Sequence, residues 1–181
     1  MTAMNEDRFW SIIEGTLVHL DDPEKQLASL TKALSALSVA DIEAFELRFG
    51  ELMEESRTWD LWGAAYVIHG GCGDDSFDYF RHWLISRGRD VYDTALADPE
   101  SLAKGKLSTV EDVCQFEEFS YVARQVWCEK KGVEVGDGDG DFPFGGATSG
   151  EPEGEPFDED EDELAKRFPR LWRKFGESPL G

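Results

Sequence analysis

Apolar residues recur at helical spacing through most of the first 132 positions. Phe9, Ile12, Ile13, Thr16, Leu17 and Leu20 follow the i, i+3, i+4, i+7 pattern of one helix face, with Asn5 placed to cap it and Glu6 and Asp7 in the first turn. Asp22-Pro23 is an N-cap followed by proline at the first helical position. Leu27, Leu30, Leu34 and Leu37 then predict a second helix ending near Ser38. Ser38 with Asp41 resembles a capping box and opens a third helix through Ile42, Phe45, Phe49 and Leu52.

From Trp59 to Ile68 the pattern changes, because Asp60 is the one charged residue and apolar or small side chains surround the helix on nearly every side. A helix of that kind is expected at the centre of the core. Gly70-Gly71-Cys72-Gly73 ends it, and Asp74-Asp75-Ser76 offers N-caps for a helix over Phe77 to Arg87. A short helix over about 90–97 stops before Pro99. Ser108 with Glu111 matches a further capping box and predicts a long last helix through Val113, Phe116, Val122 and Val126 to Gly132. With no alternating run to argue for a sheet and no internal repeat, residues 1–132 read as an all-α, compact multi-helix domain.

Composition shifts after Gly132. Residues 133–163 carry thirteen Asp or Glu, no Lys or Arg, and many glycines and prolines, which predicts a disordered acidic arm. Residues 164–181 differ again: Leu164, Phe168, Leu171, Trp172 and Phe175 return to helical spacing beside Lys166, Arg167, Arg170, Arg173 and Lys174. Residues 1–132 hold 25 acids against 13 bases, a net −12, so this basic amphipathic segment has an oppositely charged surface to dock on. Pro169 should limit any helix there.

The net charge of −21 excludes ordinary nucleic-acid or anionic-membrane binding through a basic patch and favours a basic protein as partner. Met1 to Asp7 is polar, and no run reaches the roughly 18 apolar residues of a membrane span, so a cytoplasmic protein is expected. Cys72, Cys114 and Cys128 form no C-x-x-C pair. If Cys114 and Cys128 share the last helix they lie roughly 21 Å apart, beyond disulfide reach, so free thiols are expected.

The chemistry-bearing residues concentrate between Trp59 and Ile85. The run Trp59-Asp60-Leu61-Trp62-Gly63-Ala64-Ala65-Tyr66 leads into Gly70-Gly71-Cys72-Gly73-Asp74-Asp75-Ser76-Phe77, Tyr79-Phe80-Arg81 and Trp83-Leu84-Ile85. Together with Phe9-Trp10, this resembles the signature of a bacterial family catalogued as domain of unknown function 4240, over about residues 5–128. Gly73 stands where relatives commonly have serine. The resemblance implies a shared fold and supplies no reaction or ligand.

Physically, the segment is a helix, a glycine-rich turn and a second helix that bring Asp60, Trp62, Tyr66, Asp74, Asp75 and Arg81 together, with His69 nearby. Such a cluster is either an interhelical joint or a polar pocket. Arg81 falls about 40° from Phe77 on a 100°-per-residue wheel, beside the stripe of Phe77, Phe80 and Leu84. It is therefore expected to be partly buried and paired with Asp74, Asp75 or Asp60.

Sharper chemistries fit less well. His69, Cys72 and His82 lack a paired metal-ligand spacing, and acidic neighbours oppose thiolate formation at Cys72. The glycines lack the Lys and Ser/Thr of a phosphate loop. Asp137, Asp139 and Asp141 lack the glycine and glutamate of a calcium loop, having Phe142 and Thr148 there instead. No cofactor and no metal is therefore expected. Two functions stay open: a noncatalytic binding or regulatory protein acting on a basic partner through its acidic surface, and a small enzyme with an Asp/Arg pocket at the glycine-rich turn.

Overall fold

The computed structural model describes residues 2–104, 114–143 and 150–181. It is all-α. In chain order the helices are α1 (Glu6–Glu14), α2 (Pro23–Ser35), α3 (Val39–Glu55), α4 (Trp59–His69), α5 (Asp74–Ser86), α6 (Arg89–Ala97), α7 (Val122–Lys131), α8 (Glu161–Arg167) and α9 (Pro169–Phe175), with 3-10 turns at Leu17–His19, Pro99–Ala103 and Glu117–Tyr121. No described helix is long and apolar enough to cross a membrane.

The caps explain most boundaries. Asn5, Asp22, Ser38 and Thr58 each accept a hydrogen bond from the backbone N–H three residues on, starting α1 to α4. The first helix is shorter than its apolar face suggests. It ends at Glu14, and the Thr16 hydroxyl turns back to the Ile13 carbonyl at 2.7 Å, so Leu17 joins a 3-10 turn instead.

The expected long last helix is also corrected. Ser108, Glu111 and Val113 lie outside the described residues. Phe116 is not helical (φ −148°, ψ 66°), and its N–H donates to the Tyr79 carbonyl at 3.1 Å, so the α-helix begins only at Val122. Cys114, with φ 60°, therefore does not share a helix with Cys128; both are nonetheless free and buried.

α4 occupies the centre, with Leu61, Ala64, Ala65 and Ile68 completely shielded from solvent. α5 packs against it and in turn against α3, α1 closes on α3 through a Phe9–Phe45 ring stack at 4.6 Å, and α7 packs across α2 and α3. Its remaining side is covered from the C-terminal end of the chain. Leu164, Phe168, Leu171 and Phe175 are buried and Trp172 is half-buried, and α9 lies along α4. Pro169 divides α8 from α9 at the non-helical Phe168 (φ −124°, ψ 57°). Arg167 pairs with Asp60, and Arg170 with Asp98 and Glu100, so the docking is electrostatic as well as apolar.

The arm expected over 133–163 is cut short by α8, whose first turn takes Glu161 to Glu163 because Asp160 caps it; up to Asp160 the described residues hold neither helix nor strand, apart from a bridge of Glu153 to Thr58. It is irregular, as its composition suggests, but it is anchored. The Asp139 carboxylate accepts from Gly136 N–H at 2.8 Å and from the Arg124 guanidinium, and Phe142 is buried edge-on against Trp127. Asp139 in the calcium-loop look-alike thus serves as an arginine partner on α7.

Candidate functional site

The glycine-rich turn is held by the backbone of α4. Gly70 takes the left-handed conformation (φ 73°), and a side chain there would come within 2.7 Å of the Pro179 ring. Both the turn and the returning C-terminus therefore require glycine. Gly73, not an aspartate, is the cap residue of α5, and it offers no side-chain hydrogen bond. Asp74 and Asp75 lie exposed in the first turn instead, where carboxylates favour the positive helix end.

An aromatic stack links the two helices across the turn. Trp59 lies on Trp62 (5.3 Å, 10° between planes), Trp62 on Phe77 (4.9 Å, 9°), and the Arg81 guanidinium over Phe77 at 4.8 Å. The Trp62 indole N–H donates to the Cys72 carbonyl at 2.8 Å, fastening the turn to α4. Phe157 from the arm meets both Trp59 and Tyr66, and the Tyr66 hydroxyl donates to Glu159 at 3.2 Å.

Arg81 is fully buried, not partly so, and its partner is none of the three expected aspartates. Its two terminal nitrogens donate to the Asp78 carboxylate and to the Met53 carbonyl. The reason is geometric. Asp78 stands one turn earlier on the same helix and reaches along it, whereas Asp60 faces outward and accepts from Arg167 at 2.7 Å. Burial pulls the Arg81 pKa down and Asp78 opposes that shift. The guanidinium thus ties α5 to the C-terminal end of α3.

Burial first, then Asp74 and Asp78, pushes the Cys72 thiol up to about 12, so it stays protonated. His82, between Phe49 and Tyr79, is driven down to about 4 by burial and is neutral near pH 7. Among the described residues no group of three or more His, Cys, Asp or Glu could hold a metal. A cavity of about 520 Å³ lies away from the turn, and none of the six candidate residues lines it.

The joint lies inside the span of a family model that covers most of the chain, residues 4–129. The chain belongs to the family described as a protein of unknown function, DUF4240. No curated protein and no solved structure matches it. The matched family region includes the joint but ends before the arm and α8–α9. The residues that complete the cluster, Phe157, Glu159, Arg167 and Phe168, therefore come from outside it. Asp78 was overlooked from sequence although its i, i+3 spacing to Arg81 marks a helical ion pair. Nothing in the sequence signals the Met53 carbonyl, which is a backbone atom brought in by packing.

Proposed function

We propose that the chain is a noncatalytic binding or regulatory protein that works in the cytoplasm and engages a basic partner through its acidic surface. What supports this reading is how the charges are distributed. Three arginines of the candidate cluster and the docking segment are engaged internally: Arg81 with Asp78, Arg167 with Asp60, Arg170 with Asp98 and Glu100. Of the acids in residues 133–163, by contrast, all but Asp139 are exposed. The face offered to a partner is therefore negative, and it repels phosphate backbones while attracting Lys- and Arg-rich surfaces.

An enzyme at the turn is the less favoured reading. Trp62, Tyr66, Asp60 and Arg81 are all committed to contacts within the fold, and Asp74 and Asp75 stand on an exposed helix end. The test is an affinity capture from the native cell with the whole chain, against a variant with Asp137, Asp141, Glu151 and Glu155 changed to their amides. These four side chains are exposed, and the Glu155 main-chain carbonyl that accepts from Arg167 of α8 is left in place by the change, so the fold should survive. A basic protein retained at low salt, released by added salt and missed by the variant is the expected result. Equal capture by both proteins would refute the reading.

A further inference from the structure

The start of α2 and the end of α5 border the cavity of about 520 Å³, which takes no part in the joint. Its size falls in the range of small-molecule sites, and Leu27, Trp83 and Phe116 give it apolar walls. Two kinds of charge share it. Arg87 is half-buried, its guanidinium lying over the Trp83 ring at 5.6 Å. Among the described residues that guanidinium donates a single long hydrogen bond, 3.4 Å to the Leu20 carbonyl. A guanidinium has five N–H donors, so most of this half-buried fork lacks a protein partner.

On the same lining, Glu24 and Glu118 are exposed and make no hydrogen bond or ion pair among the described residues. Asp21 adds a third exposed carboxylate to the same rim, and its charge acts on Arg87, while Asp22 and Gln26 are committed elsewhere. Asp22 caps α2 and pairs with Lys25 at 2.6 Å, and the Gln26 amide donates to the Thr16 hydroxyl and the Ser86 carbonyl.

A simple cation would meet Arg87, and a multiply charged phosphate would meet Glu24 and Glu118. A ligand carrying one charge of each sign satisfies both sets. We propose that the cavity binds a small zwitterion with an apolar side chain, of the α-amino acid class. Its carboxylate sits on the Arg87 fork, its ammonium faces Glu24 and Glu118, and its side chain lies against Leu27, Trp83 and Phe116. This site is independent of the acidic-surface reading and stands or falls apart from it.

The experiment uses the full chain with nitrogen-15-labelled tryptophan, following the Trp83 indole N–H assigned with Trp83→Phe. The probes are L-phenylalanine and its two single-charge analogues, 3-phenylpropanoate and phenethylamine. L-Phenylalanine should shift the Trp83 resonance saturably, with each analogue at least about tenfold weaker, or ~1.4 kcal/mol. Arg87→Gln, verified as folded by circular dichroism, should lose L-phenylalanine at least tenfold while leaving phenethylamine unchanged. Glu118→Gln changes an exposed residue and so keeps the fold. It should weaken L-phenylalanine and leave 3-phenylpropanoate unchanged, and it decides the matter if Arg87→Gln does not fold. The proposal is overturned by the absence of a saturable shift below about 10 mM, by an analogue binding as well as the amino acid, or by wild-type binding in Glu118→Gln.

Discussion

Replacing Arg81 by alanine should destabilise the protein strongly, because the guanidinium is a buried structural tie with no solvent route. The substitution removes the charged donor from the buried Met53 carbonyl and leaves it the weaker Ser56 hydroxyl at 3.2 Å, at roughly 1–3 kcal/mol. It also removes the cation over the Phe77 ring, a contact worth up to about 2 kcal/mol when desolvated, and leaves the space of the side-chain stem empty. Asp78 softens the loss, since its side chain is 49% exposed and can rehydrate once its partner is gone. A net cost of about 4 kcal/mol follows, and at roughly 2–4 °C per kcal/mol for a chain of this size the melting temperature should fall by about 8–16 °C. Arg81→Met keeps the stem and should cost about half as much. Arg81→Lys should lie between them, because one ammonium cannot serve both acceptors and stack on Phe77 as the planar fork does. Thermal unfolding followed by circular dichroism reads all three. A shift under about 3 °C for Arg81→Ala would show that Arg81 does not hold α5 to α3, and would return it to the pool of ligand-binding residues.

Two further outcomes test the packing around the joint. Gly63→Ala would normally strengthen an exposed helix by about 1 kcal/mol, but here the new methyl would lie 2.6 Å from the Phe168 ring. It should therefore destabilise by roughly 1–3 kcal/mol in urea unfolding; a gain in stability would refute the seating of the C-terminal segment on α4. His82, whose pKa burial lowers from 6.5 to about 4, should make the wild-type protein lose stability as pH falls through that window. There the unfolded histidine takes up a proton that the folded one refuses, so the contribution is complete above about pH 6.5 and its loss levels off below about pH 4. The urea midpoint should drop more between pH 7 and pH 4.5 in the wild type than in His82→Gln, by the equivalent of about 2 kcal/mol, and parallel curves would refute the burial argument.

Local chemistry made much of this protein legible. Helix positions could be read from apolar spacing and from Asn5, Asp22, Ser38 and Gly70, because capping and amphipathicity involve residues within a turn or two of one another. The central place of α4 followed from its lack of a polar face. The docking of Phe168, Leu171 and Trp172 followed from a helical pattern that a solvated tail does not need. The stop at Pro169 followed from its missing N–H.

Where distant residues compete, that legibility ended. Asp74, Asp75 and Asp60 all looked able to reach Arg81, yet Asp60 was taken by Arg167 from 107 positions away, and the second acceptor was a carbonyl at the end of α3. Phe116 has the spacing of a helix face, but a hydrogen bond to the Tyr79 carbonyl holds it out of the helix. The acidic arm looked uniformly solvated until Arg124 and Trp127 gave Asp139 and Phe142 places to go. Sequence by itself determined which segments are helices and which faces must be buried, since those depend on near neighbours. Tertiary structure alone decided who pairs with whom, because each buried charge and ring takes the partner that packing brings within reach, and that partner has no fixed distance along the chain.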